Sequence, residues 1–242
     1  ASCKLAAIKK NISLYKYLGN SKNTQLPIPL LNIINGGVHA KNNLDIQEFM
    51  IRPEKSKSFS EAMRKSFLVI QNLKSMLDNT NVGDEGGFAP NLKNNEEAIQ
   101  VIIKAIEKSG FKQGRDVSIC LDVAANELFK KGKYSIHSNK YISSEKTIKK
   151  YLSLIKKYKI KSIEDPFGEE DWQAWTKLTE KIGKNVQIVG DDLFVTNSKI
   201  LAKGIENNIA NSILIKVNQI GTLTETFNAM RMALNAGYTC VM

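Results

Sequence analysis

Carboxylates recur in this sequence at one kind of place, the point where a short apolar run stops. Ile119-Cys120-Leu121 runs into Asp122, Lys161-Ser162-Ile163 into Glu164 and Asp165, and Gln187-Ile188-Val189-Gly190 into Asp191 and Asp192. Pro166 lacks an N–H and biases Asp165 toward an extended shape, which marks where that strand ends. A fourth run, Ser212-Ile213-Leu214-Ile215, delivers Lys216 in the same way. In a parallel α/β sheet consecutive strand ends lie side by side on one face, where ligands bind. Three acids and a lysine on one rim suit a hard divalent cation beside a base. Mg²⁺ takes oxygen ligands of this kind and leaves its other positions to water or a phosphorylated substrate. Asp165 and Asp192 suit a supporting role beside the ligands or the lysine.

Lys216 lies in the apolar run 213–217, where desolvation or neighbouring cations lower a lysine's pKa toward that of a usable base. The loop Val-Gly-Asp-Glu-Gly-Gly-Phe-Ala-Pro-Asn at 82–91 has glycines on both sides of Glu85. Such glycines let backbone approach a ligand closely and Glu85 project into a site. His39 follows Gly36-Gly37, where a histidine either contacts substrate or, more often, is plain polar surface, while Gln47 and Glu48 lie inside a second short strand. His137 sits in a polar segment and carries no assignment.

The elements that must position these groups follow from hydrophobic spacing. Leu5, Ile8 and Ile12 suit one helix face, and a polar stretch to Gln25 reads as a linker. Strands are expected at 30–34 and 46–51, and an amphipathic helix at about 58–78. The next helix is capped by an Asn at 94 or 95 and ends at Gly110. From Val117 strands alternate with helices, apart from an irregular polar stretch after Asp122, and the last strand covers 238–242. Repeated βα units imply a parallel sheet and favour an α/β barrel of the (β/α)8 type. Only seven strand-like runs are present, so the barrel is expected to be incomplete at its C-terminal end. With the abrupt start at Ala1, that points to a piece of a longer protein whose open edge exposes apolar surface.

Composition narrows the classes. With 242 residues, 42% of them hydrophobic, the chain can bury a substantial core. No apolar run approaches the roughly 20 residues of a membrane span, so membrane insertion is not expected. Cys3, Cys120 and Cys240 make an odd count, read as reduced thiols in a cytoplasmic setting. The net charge is +11, yet Arg52, Arg64, Arg115 and Arg231 are the only arginines among 35 basic residues. Arginine is the usual reader of bases and phosphates, so no specific nucleic acid is expected.

Six stretches together resemble the enolase family (phosphopyruvate hydratases) of bacterial type. They are NIINGGVHAKNNLDIQEFM (32–50), VGDEGGFAPN (82–91), CLDVAANELF (120–129), SIEDPFGEEDW (162–172), VGDDLFVTN (189–197) and ILIKVNQIGTLTET (213–226). The resemblance implies an enolase-type TIM-like barrel at 21–242, preceded at 1–20 by the tail of an N-terminal capping domain. It implies reversible dehydration of 2-phosphoglycerate to phosphoenolpyruvate in a cytoplasmic, homodimeric or larger assembly. Asp122, Glu164 and Asp191 would hold Mg²⁺, Lys216 would take the C2 proton, and Glu85, assisted by Glu48, would protonate the leaving hydroxyl. His39, Gln47 and Glu48 would line the substrate pocket. The family's later histidine-arginine-serine segment, its second lysine and its capping loop have no counterpart here, so residues 1–242 alone are expected to be catalytically silent. The competing expectation is a binding role at a surface or in an RNA-degrading assembly, which the lysine-rich surface permits.

Overall fold

The computed structural model describes residues 1–19, 25–136 and 140–242. It opens with two helices, α1 (Ser2–Lys9) and α2 (Leu14–Leu18), whose Leu5 and Ile8 are exposed rather than turned into a core. The linker expected before Gln25 and His137 fall largely outside the described residues. The sheet begins with β1 (Leu31–Asn35) and β2 (Glu48–Pro53), followed by α3 (Phe59–Lys74) and α4 (Asn95–Lys108). Then come β3 (Val117–Asp122), a hairpin region of β4 (Phe129–Lys130), β5 (Lys133–Ser135) and β6 (Tyr141–Ser143), and α5 (Ser144–Tyr158). The rest alternates: β7 (Ser162–Glu164), α6 (Trp172–Ile182), β8 (Gln187–Gly190), α7 (Ser198–Glu206) and β9 (Ser212–Leu214). A short α8 (Val217–Ile220), α9 (Leu223–Asn235) and β10 (Thr239–Val241) complete it.

The main sheet has the order β1-β2-β3-β7-β8-β9-β10, so its seven strands are the seven apolar runs of the sequence. From β3 onward every pairing is parallel, as the repeated βα units imply, while β2 is antiparallel to both β1 and β3. The reversal has a simple cause. Only a single-turn 3-10 helix, Gly37–His39, lies between β1 and β2, so the chain turns straight back. Two helices in succession, α3 and α4, then return it to the rim it left, ready for β3. The three short strands β4, β5 and β6 form a separate antiparallel sheet inside the stretch expected to be irregular. Their turn is Lys131-Gly132, both with positive φ (+51° and +73°), the twist that two-residue hairpins require.

Local chemistry sets the helices. In α4 the Asn94 side chain accepts the Glu97 N–H at 3.0 Å, and the Glu97 carboxylate accepts the Lys93 N–H at 2.6 Å, a reciprocal cap. Ala98, Ile99, Ile102, Ala105 and Ile106 form its buried stripe. Asn95 is not the cap; it is buried and accepts the Asp45 N–H at 3.0 Å, tying α4 to the loop before β2. Phe49, Ile51, Ile119, Leu121, Ile163, Ile188 and Ile213 make the sheet's part of one continuous core. At the rim an aromatic cluster of Tyr134, Tyr151, Phe167 and Trp175 fixes the segment after β7. The Trp175 indole N–H donates to the Gly168 carbonyl at 3.1 Å, and the Gly168 N–H donates to the Tyr134 hydroxyl at 3.0 Å.

Candidate active site

Strand register brings the acids together. Asn35 of β1 pairs with Glu48 of β2, Glu48 with Asp122 of β3, and Asp122 with Glu164 of β7. Because β2 runs backward, Glu48 at its start shares a rim with strand ends, rather than sitting mid-strand as the sequence suggested. Asp191 and Asp192 follow β8 directly, and Lys216 lies two residues past β9. His39, Gln47, Glu48, Glu85, Asp122, Glu164, Asp191 and Lys216 all line one cleft of about 370 Å³. Each candidate from the sequence therefore faces the same space. Glu127 lines it too, and no motif had singled it out.

Two groups face each other across the cleft. On one side, ligand atoms of His39, Glu48 and Glu85 lie within 4.8 Å of one another. Burial, a hydrogen bond with Glu85, and the charges of Asp122 and Glu85 push the Glu48 carboxyl up to about 9, against a smaller opposing pull from Lys216. Glu48 thus keeps its proton at neutral pH, hydrogen-bonded to Glu85. His39 Nδ1 is 3.6 Å from Glu48 Oε1, too far for a hydrogen bond, and has no other partner among the described residues.

On the other side, Asp122 accepts the Ala124 N–H and the Gln47 side-chain N–H, both at 3.0 Å. Burial still raises its carboxyl to about 7, with help from the Asp191 charge. Glu164 is driven well above the carboxylate range, first by burial and then by the charges of Asp122, Asp165 and Asp191. No donor among the described residues reaches the Glu164 carboxylate, and Asp191 Oδ1 is buried without a hydrogen bond. Buried, mutually repelling oxygens with unspent lone pairs are a donor set that fits a hard divalent cation.

The tightest acidic group is Asp165, Asp191 and Asp192, whose oxygens lie within 4.8 Å of one another. Asp165 is already committed: its two oxygens accept the Asp191 and Asp192 N–H groups at 2.9 and 2.8 Å. Its φ is +37°, so the extended shape expected before Pro166 gives way to a left-handed one that lets this grip form. Asp192 accepts from the Asn126 amide at 3.2 Å. Asp165 and Asn126 thus hold the end of β8 in place; Asn126 lies within the stretch 120–129 but was given no role from sequence.

Two further expectations are corrected. Lys216 is half-exposed and its ammonium contacts Asp191 Oδ2 at 2.5 Å. Desolvation pulls its pKa down, but the hydrogen bond and charge of Asp191, with Glu164 and Asp192, outweigh that and raise it. The neighbours are anions rather than the apolar or cationic surroundings that would lower it. Gly83 also has another cause than a nearby ligand. A Cβ on Gly83 would lie 2.5 Å from Asn35 Nδ2 and 2.7 Å from the His39 carbonyl.

The sequence model of the family "Enolase, C-terminal TIM barrel domain" matches residues 23–242. The chain belongs to the enolase family. A curated relative named "Enolase" from Pelagibacter ubique (strain HTCC1062) is 60% identical over 246 aligned residues, an alignment that takes in 100% of this chain. The chain spans 59% of that enolase's length. The enolase barrel domain accounts for the sheet order and for helices packed outside it. Among the described residues no helix is long and apolar enough to cross a membrane.

Proposed function

We propose that this chain carries the catalytic centre of a Mg²⁺-dependent enolase, a lyase that reversibly dehydrates 2-phosphoglycerate to phosphoenolpyruvate in glycolysis and gluconeogenesis. The deciding observation is that a lysine amine and the hydrogen-bonded Glu48–Glu85 carboxyl pair line one cleft together with Asp122, Glu164 and Asp191. Elimination of a hydroxyl next to an acidic C–H needs those parts: a base, an acid, and positive charge for the dianion formed between them. Lys216 takes the C2 proton, and Glu85, assisted by its hydrogen bond with Glu48, protonates the departing C3 hydroxyl. Gln47 orients Asp122, and His39 closes the pocket beside Glu48. Asp122, Glu164 and Asp191 would hold the metal, which when bound supplies charge to the dianion and competes with Lys216 for Asp191. Lysine with Mg²⁺ is a known pairing in enolase-superfamily sites.

The same scheme assigns residues 1–20 to the tail of a capping domain and 21–242 to the barrel, which suits the exposed Leu5 and Ile8 of α1. It also places the protein in the cytoplasm as a homodimer or larger homo-oligomer.

Isotope exchange separates the two roles. In the full-length protein, Lys216→Ala should abolish exchange of the C2 proton with solvent. Glu85→Gln should keep that exchange while dehydration falls by about 100-fold or more. A Lys216→Ala protein that exchanges normally would reverse the assignment.

A further inference from the structure

We propose that Asn35 is a positioning residue for this reaction, its side chain fixing the loop that carries Glu85 against the end of β1. This rests on the role of Glu85 as the acid. Asn35 is wholly buried, at 0% exposure, and each of its four polar groups is used. Its backbone N–H donates to the Phe88 carbonyl at 2.8 Å, and its side-chain N–H donates to the Gly87 carbonyl at 2.6 Å. Its side-chain oxygen accepts from Asn32 at 2.5 Å, and its backbone carbonyl accepts from the Asn42 amide at 2.9 Å. That Asn42 amide also donates to the Pro90 carbonyl at 3.1 Å, so the segment after β1 grips the loop at a third point.

The loop is built around this amide. The Gly83 N–H donates to the Gly87 carbonyl at 2.8 Å, closing a turn with Glu85 inside it. A Cβ on Gly83 would lie 2.5 Å from Asn35 Nδ2 and one on Gly87 would lie 3.1 Å away. Both glycines are therefore places where the loop wraps the Asn35 side chain. Asn35 is also the ladder partner of Glu48, the carboxyl hydrogen-bonded to Glu85. One residue thus sets where both members of the acid pair stand. Lys216 and the three acids of the opposite group receive no hydrogen bond from it.

A residue that only filled space would lower proton abstraction and dehydration together, in proportion to the folded fraction. A positioning residue for the acid splits them. In the full-length protein Asn35→Asp keeps the shape but turns an oxygen toward the Gly87 carbonyl. Its dehydration rate should fall by at least about tenfold, while C2-proton exchange stays within about threefold of the parent. Amide hydrogen exchange across 82–91 should speed up by at least about tenfold, with the strands of the sheet unchanged. Asn42→Ala, at a partly exposed position, leaves the Asn35 side chain in place but removes the bonds to the Asn35 and Pro90 carbonyls and to the Leu44 N–H, and should give the same split at smaller size, which keeps the test open if Asn35→Asp folds poorly. Equal losses in both partial reactions, or unchanged loop protection with normal dehydration, would overturn the proposal. Should Glu85→Gln itself fail to split the reactions, the assigned acid is wrong. If Glu85→Gln splits them and the Asn35 and Asn42 variants do not, Asn35 alone is misassigned.

Discussion

The two aspartates that follow β8 are neighbours in sequence but not in chemistry. Asp191 contacts Lys216 through one oxygen and leaves the other buried without a hydrogen bond, whereas Asp192 is engaged by the Asn126 amide. Both backbone N–H groups are held by Asp165, so either side chain can be altered without releasing the loop. If the ion takes oxygens whose lone pairs are otherwise unspent, the two positions must respond differently. Asp191→Asn should weaken Mg²⁺ binding, read by titration calorimetry, by about 100-fold or more, and Asp192→Asn by about tenfold or less. Equal losses would move the ion onto the Asp165–Asp191–Asp192 group. Residue identity and strand-end position were enough to find the acids and Lys216 in the sequence. The raised pKa of Lys216 was not legible, because it depends on Asp191, a contact made only when β8 and β9 lie side by side.

At the scale of elements, what could be read depended on whether the signal was local. Helix α4 is written into its own sequence by Asn94, Glu97 and a stripe of isoleucines, and it forms as expected. The direction of β2 is not local. Alternating side chains look the same whichever way a strand runs; the short link from β1 and the pair of helices after β2 together set its direction. The sheet of β4, β5 and β6 escaped because its strands are two or three residues long, too short for periodicity; Lys131-Gly132 was its one signal. The glycines around Glu85 were visible, but their cause, the buried Asn35 amide, lies about 50 residues away. That cause makes Gly83 and Gly86 behave differently. Gly83→Ala overpacks the Asn35 amide and the His39 carbonyl and should cost about 1–3 kcal/mol in urea denaturation. Gly86 has open space around its Cβ position, and only its φ of +81° resists substitution, so Gly86→Ala should cost about 1–2 kcal/mol without disturbing Asn35. Amide exchange at Gly87 and Phe88 distinguishes them, since Gly83→Ala alone should loosen the bonds to β1.

Across the whole molecule, stability should be graded from the ends of the sheet order toward its middle. β3 lies third in the order, flanked by β2 and β7, whereas β10 closes the order beside β9 alone among the described residues. A cysteine marks each place: Cys120 is wholly buried in β3, and Cys240 is partly exposed in β10. Burial pushes the Cys120 thiol up to about 12 from 9.0, and the Tyr238 hydroxyl up to about 12 from 10.0. Both groups are uncharged in the folded state, so the contribution of each is fully present below its unfolded pKa. It is lost as pH rises through the folded value, because ionisation then favours the unfolded chain. The buried carboxyls with raised values, Glu48 and Asp122 among them, already lose their contribution below about pH 9, so Cys120 and Tyr238 should add a second fall in the stability of the chain between about pH 9 and about pH 12. Cys120→Ala should flatten the first part of that fall, at the cost of a small cavity. Pulsed alkylation supplies the measurement. Cys240 should label through fraying of β10 at low urea, and Cys120 only with global unfolding, its midpoint moving to lower urea as the pH is raised. Labelling of Cys120 ahead of Cys240, or a Cys120 midpoint that ignores pH, would mean that β3 opens without the rest of the sheet and that its thiol is not held neutral by burial.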